Sequence, residues 1–343
     1  MQTNNADSIS GAERQACVEA IFSHYRTTGF PVFNLTIQER LESLSSLMQF
    51  DHSTILKNGI VRQTMHAVGL CWHFFPHMWD VKCGGKRTPM EVFMSDHLLK
   101  GAITKRLEMG GYLSDGGLRK AISTFSGTQR VSTFRPSAAT AIFNELLPAS
   151  GGVTWDFSAG FGGRLLGALA SPRVKRYIAT EPATMTYEGL QEMVAELVPM
   201  SGRRISVELH HIGSEDFRPD KNSLGLICSS GPYFKNEQYS DEPTQSYLKF
   251  PSRQEWLEGY MGGTLANARR GLKPGGLLAV NIANVPCYPK LEGDFLRLAK
   301  RERWRLITTL KIEMSRMLGT RTSRAGLKSP QYKSEPLFVF AKR

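Results

Sequence analysis

Apolar residues recur at helical spacing in the first third of the chain and gather into short continuous runs in the rest. Over residues 11–50, Val18, Ile21 and Phe22 share one face. Leu41, Leu44, Leu47 and Met48 share another after Thr36, an N-cap residue type. Gly29-Phe30-Pro31 marks the break between them. Residues 60–80 hold an aromatic cluster, Trp72, Phe74, Phe75 and Trp79, with His66, His73 and His77 interleaved. Gly84-Gly85 and Pro89 close it. Residues 90–110 read as helical again, and Gly110-Gly111 and Gly116-Gly117 punctuate the chain on either side of Leu113.

From about residue 136 the pattern changes. Apolar runs predict strands at 153–156, 177–180, 206–210, 224–228, 277–282, 306–312 and 336–341. Helices are predicted between them at 137–147, 164–169, 184–198, 254–271 and 291–302. Strands alternating with helices imply a parallel sheet covered on both faces. In such sheets ligands sit beyond the carboxyl ends of the strands. Four polar features fall there: the glycine loop after 156, Glu181, Asp216 and the loop from Ser230 to Tyr233.

Composition keeps this picture globular, with 41% hydrophobic and 22% charged residues among 343. No apolar run approaches the roughly 20 residues of a membrane span. The polar start, Met1-Gln-Thr-Asn-Asn-Ala-Asp-Ser8, reads as disordered and not as a signal peptide. Five scattered cysteines (Cys17, Cys71, Cys83, Cys228 and Cys287) imply reduced thiols and a cytoplasmic setting. Cys71, His73, His77 and Cys83 lack zinc-finger spacing and are interleaved with Trp and Phe, so a packed aromatic core is expected and no metal. The formal net charge is +12, and residues 297–343 carry 13 Lys/Arg against 3 Asp/Glu. Such a block suits a polyanion, although a solvated basic face would look the same. Tyr25, Lys100, Lys105, Arg106, Arg119, Lys120, Arg130 and Arg135 are further candidates for a nucleic-acid face.

Two loops carry the candidate chemistry. The first is Trp155-Asp156-Phe157-Ser158-Ala159-Gly160-Phe161-Gly162-Gly163-Arg164, between a strand and a helix. Gly160 and Gly162 lack a Cβ, so the backbone can turn sharply and a ligand can come close. A dinucleotide fingerprint would need glycine where Leu165 stands. Glu181 closes the next strand, where a carboxylate can accept from two ribose hydroxyls. Asp216-Phe217 comes after the third, offering a carboxylate and a ring for an adenine. The second loop is Ser229-Ser230-Gly231-Pro232-Tyr233-Phe234, after the run Leu224–Cys228.

Together these loops resemble the amino-methyltransferases that use S-adenosylmethionine (SAM) to methylate adenine N6 or cytosine N4 in DNA. That family has Asp, Asn or Ser followed by Pro-Pro-Tyr, and Gly231 stands here in place of the first Pro. The run through Trp256-Leu-Glu-Gly-Tyr260 and the ending from Tyr332 to Lys342 are similar to its phage-type members. The resemblance spans roughly residues 70–343. It implies a Rossmann-like class I methyltransferase domain, α/β with a mostly parallel seven-stranded sheet. It further implies that Asp156, Ser158, Gly160 and Gly162 form the SAM loop, that Glu181 binds ribose, and that Asp216 and Phe217 contact adenine. Phe134, in Phe134-Arg135-Pro136, would help hold the methionine end. Ser230, Gly231, Pro232 and Tyr233 would be catalytic. Phe234, Tyr239 and Tyr247, in and after that loop, would meet the base or the strand.

The expected organisation is a mainly helical domain over 1–130, for target recognition or partner binding, and a methyltransferase domain over 131–343. Nucleic acid, DNA first, is the expected partner, with no membrane. The setting is the host cytoplasm if the chain is phage-encoded. Gly231 leaves two alternatives open: a catalytically degenerate nucleic-acid-binding or regulatory subunit, and an enzyme acting on RNA or on a modified base or nucleotide.

Overall fold

In the computed structural model, residues 11–110, 113–316 and 332–342 are described, and they form two compact units. The first takes in residues up to Asn34, Pro76–Ser132 and Glu237–Tyr239. Helices Gly11–Thr28, Pro89–Met94, Asp96–Glu108 and Asp115–Phe125 bury Val18, Val92, Leu99, Ile103, Leu118 and Ile122 in one core. Thr88 starts one of them with a capping box to Glu91 and a proline at the first helical position. Several of its basic side chains have partners inside the unit. Lys100 pairs with Glu19 at 2.7 Å, Lys105 with Glu108 at 2.9 Å, and Arg119 lies 3.9 Å over the Phe33 ring.

The second unit holds the sheet. Its main strands are β1 (Gly152–Asp156), β2 (Val174–Thr180), β3 (Ser206–His210), β4 (Leu224–Ser230), β5 (Leu272–Asn281), β6 (Trp304–Arg316) and β7 (Tyr332–Lys342). They run in the order β3-β2-β1-β4-β5-β7-β6. The first five are mutually parallel, and β7 is antiparallel to both β5 and β6. A short hairpin, Leu56–Lys57 with Ile60–Val61, extends the sheet beyond β6. This is the expected Rossmann-like α/β fold, with helices layered on a mostly parallel sheet. Six of the seven residues of β4 are buried, as suits a central parallel strand covered on both faces.

Two elements depart from the sequence expectation. Leu35–Phe75 belongs to the sheet unit and not to the helical one. Helix Ile37–Gln49 buries Leu44 and Leu47, and Arg40 forms an ion pair with Glu196 of helix Thr184–Met200. Strand β5 also starts five residues early. It passes through Lys273-Pro274-Gly275 by a register shift against β4, between Leu224↔Leu272 and Leu226↔Leu277, with Gly275 at φ +77°. Among the described residues, no helix is long and apolar enough to cross a membrane.

Candidate active site

Strand order reverses between β1 and β4, whose neighbours lie on opposite sides, so a crevice is expected beyond their carboxyl ends. Both candidate loops leave the sheet there. The first is anchored from beneath by Asp156, which is fully buried. Arg164 Nε donates to its Oδ2 at 2.8 Å and Tyr177 OH to the same oxygen at 2.5 Å. Ser229 Oγ donates to Oδ1 at 2.6 Å. Arg164 also reaches the Ser158 carbonyl. A buried carboxylate needs such partners, and here they fix where the loop turns. Burial and the Asp156 charge push the Tyr177 phenol well above its ordinary range.

The loop then turns through Gly160 at φ +53° and Gly162 at φ +71°. A Cβ on Gly162 would lie 2.6 Å from Met193 Sδ, and one on Gly163 only 1.9 Å from the Phe134 carbonyl oxygen. The backbone of Phe134 is thus packed directly on the loop, and its ring stands 5.2 Å from the Arg164 guanidinium. A Cβ at Gly160, by contrast, meets nothing nearer than 3.9 Å. The loop has room on that side.

Glu181, beyond β2, faces the same turn. Its Oε2 accepts from Gly160 N–H at 2.9 Å and its Oε1 from Ala183 N–H at 3.0 Å. Burial raises its carboxyl pKa to about 7, while these two amides pull it partly back. Beyond β3, Phe217 lies between the rings of Trp155 (5.3 Å) and His210 (4.5 Å). The acid placed inward there is Glu215. Its side chain is 4% exposed, whereas that of Asp216 is 53% exposed. Lys249 Nζ pairs with both, at 3.0 Å to Glu215. The other oxygen of Glu215, Oε2, is buried without a hydrogen-bond partner.

The second loop begins at the end of β4. Ser230 Oγ donates to Asn281 Oδ1 at 3.1 Å, and Tyr233 OH donates to Glu335 Oε2 at 2.9 Å. A Cβ on Gly231 would lie 3.1 Å from Tyr260 OH and 3.2 Å from Phe157 Cε2. Tyr260 comes from a π-helical segment, Trp256–Gly262, inside the continuous helix that runs to Gly271, and π segments often accompany functional sites. Its hydroxyl lies 2.9 Å from Ser158 Oγ in the first loop, and the same oxygen borders Gly231 in the second.

The residues expected to meet a base separate. Phe234 has φ +57°, is buried, and packs on Trp256 and Tyr288. Tyr247 is buried and donates to the Ser240 carbonyl at 2.8 Å. Tyr239 belongs to the helical unit, with its hydroxyl on Glu237. Sequence alone assigns no role to Arg164, Glu215, Asn281, Glu335 or Tyr260. Only Arg164, eight residues after Asp156 and beside the glycines, stands in a segment whose chemistry the sequence itself marks. Among the described residues, no three metal-ligating side chains converge.

No protein-family model matches this chain, and no curated protein matches it. Among solved structures, it is similar to a TehB-like SAM-dependent methyltransferase from Corynebacterium glutamicum (16% identity, 62% of this chain and 90% of that one, TM-score 0.38). It is also similar to a geranyl diphosphate C-methyltransferase from Streptomyces coelicolor in complex with S-adenosyl-L-homocysteine (12%, 60% and 78%, TM-score 0.39). A third is the tRNA (m1A58) methyltransferase TrmI from Aquifex aeolicus (11%, 62% and 72%, TM-score 0.39).

Proposed function

We propose that this chain is a SAM-dependent methyltransferase that modifies an exocyclic amine of a DNA base, adenine N6 or cytosine N4. One observation carries the proposal. A glycine turn facing the buried acid Glu181 and a Ser-Gly-Pro-Tyr loop leave adjacent parallel strands, β1 and β4, at the point where strand order reverses.

The residues present fit the cofactor. Gly160 leaves its surroundings open, and Glu181 offers two carboxylate oxygens to ribose hydroxyls. The unpartnered Glu215 Oε2 is a buried acceptor suited to an amine such as that of adenine, two residues before Phe217 in the chain. When bound, SAM supplies an electrophilic methyl group. The chain's own work is positioning and electrostatics. The Ser230 hydroxyl and the Gly231 carbonyl accept the two amine hydrogens, which draws the nitrogen towards tetrahedral geometry and frees its lone pair. Tyr233 stacks on the base. No strong base is needed, because the nitrogen loses its proton readily after transfer. In duplex DNA the base must first be flipped out, at a cost of a few kcal/mol. The basic excess at 297–343 supports a polyanionic substrate, and its residues 317–331 lie outside the described residues.

A second reading keeps the fold and changes the acceptor to RNA or a modified base or nucleotide. Gly231 favours it, because the loop departs from the stiff Pro-Pro pattern of DNA amino-methyltransferases. Methyl-labelled SAM, incubated with unmethylated DNA or with RNA, separates the two. Label in DNA, lost in Tyr233→Ala, is expected. Label in RNA alone moves the substrate to the second reading. Cofactor binding with no label in either polymer moves the acceptor to a modified base or nucleotide, and no label with no cofactor binding indicates a degenerate subunit.

A further inference from the structure

The Ser230 hydroxyl is a two-way group, able to donate one hydrogen bond or to accept. An amine offers only hydrogens to an acceptor, so the serine must present lone pairs. Its surroundings decide this. Asn281 ends β5, lies opposite Ser230 in the parallel ladder and opposite Leu337 in the antiparallel one, and is 5% exposed. Its Nδ2 lies 3.0 Å from the Pro336 carbonyl and 3.4 Å from Glu335 Oε2. Both of those groups only accept, so the amide nitrogen must face β7 and the amide oxygen must face Ser230. That oxygen only accepts in turn, at 3.1 Å, so it takes the single proton of Ser230. The lone pairs are what remain for a substrate. The same Glu335 oxygen accepts from Tyr233 OH at 2.9 Å, so one carboxylate also holds the ring that would stack on the base.

On the footing of the amine-transfer reading, we propose that Asn281 and Glu335 are positioning residues that set the polarity of the Ser230 hydroxyl. The chain Glu335–Asn281–Ser230 makes the serine an obligate acceptor, selects substrates that bring N–H donors, and disfavours those that bring only an oxygen acceptor.

The test is a double-mutant cycle in methyl transfer, with Asn281→Leu (and Asn281→Ala, which adds no bulk) made in wild-type and in Ser230→Ala backgrounds. In the wild-type background a loss of about 10- to 100-fold in kcat is expected, of the order that misorientation produces. SAM affinity should stay near wild type, and the melting temperature should fall by the same amount in both backgrounds, because the Pro336 carbonyl loses its donor in each. In the Ser230→Ala background, Asn281→Leu should cost nothing further in kcat, because there is no hydroxyl left to orient. A merely structural asparagine would cost the same in kcat in both backgrounds, and that result overturns the inference. So does an unchanged kcat in Asn281→Leu and Asn281→Ala. If Ser230→Ala alone leaves turnover intact, or no acceptor is methylated at all, the amine-transfer reading itself falls and this inference falls with it.

Discussion

Tyr260 OH and Ser158 Oγ lie 2.9 Å apart, which ties a π-helical turn to the first loop. The same phenol hydroxyl would stand 3.1 Å from any Cβ at position 231. Tyr260 and Phe157 therefore occupy the flank where a proline ring would begin. The glycine there is explained by crowding and not by a left-handed backbone, since Gly231 is absent from the positive-φ positions.

Gly231→Pro should therefore destabilise the fold. Overpacking of this kind costs about 1–3 kcal/mol, and trimming the hydroxyl in Gly231→Pro/Tyr260→Phe should recover part of it. Thermal melts of the two variants check this. A Gly231→Pro protein as stable as wild type contradicts the crowding account.

Arg164 is the only cation bonded to Asp156 among the described ion pairs, and both side chains are nearly inaccessible, at 5% and 0% exposure. Removing one partner leaves the other buried and uncompensated. Arg164→Met should cost about 3–5 kcal/mol in denaturant unfolding, and a cost below about 1 kcal/mol would mean that the anion is satisfied without it.

Glu181 gives a pH signature. Burial lifts its carboxyl from an ordinary 4.5 to about 7. Hydroxyl donors prefer the ionised acceptor, so cofactor binding should strengthen as pH rises from 6 to 8. Below the folded pKa the slope should approach about tenfold per unit. Calorimetric titration across that range should show the slope in wild type and a flat profile in Glu181→Gln. Stability responds with the opposite sign. Between 4.5 and about 7 the native state binds more protons than the unfolded chain, so this group's contribution falls as pH rises through that window and is level above it.

The glycines of the first loop should separate folding from binding. Gly163→Ala drives a Cβ into the Phe134 carbonyl at 1.9 Å, a backbone clash that should lower stability by about 2–3 kcal/mol. Gly160→Ala meets no neighbour within 3.9 Å and carries only the cost of its φ of +53°, about 1 kcal/mol. It should stay folded yet lose SAM affinity, because the added methyl occupies the space left for the ligand. Melting curves and calorimetry on both variants give the comparison.

The sequence pattern placed all seven main strands and the helices between them, because apolar runs such as Leu224–Cys228 are too short for a helix and are bounded by polar and turn residues. It could not say what an amphipathic helix packs against. Leu44 and Leu47 announce a buried face, but only the fold assigns Ile37–Gln49 to the sheet unit. Loops carry no period at all. Asp216 and Glu215 are adjacent, and nothing in the sequence tells which carboxylate is turned inward. Phe234 comes one residue after Tyr233, yet a left-handed backbone sends its ring into the core. Asn281 and Glu335 lie 51 and 105 residues beyond Ser230, and only strand pairing across β4, β5 and β7 brings them to it.

The central claim is methylation of an exocyclic amine of a DNA base. Its most direct test is nucleoside mass spectrometry of unmethylated DNA incubated with this protein and SAM, beside a Tyr233→Ala control. N6-methyladenine or N4-methylcytosine, present with the wild-type protein and absent with the control, is the predicted result. Unchanged DNA nucleosides, from a protein shown by calorimetry to bind SAM, would contradict it.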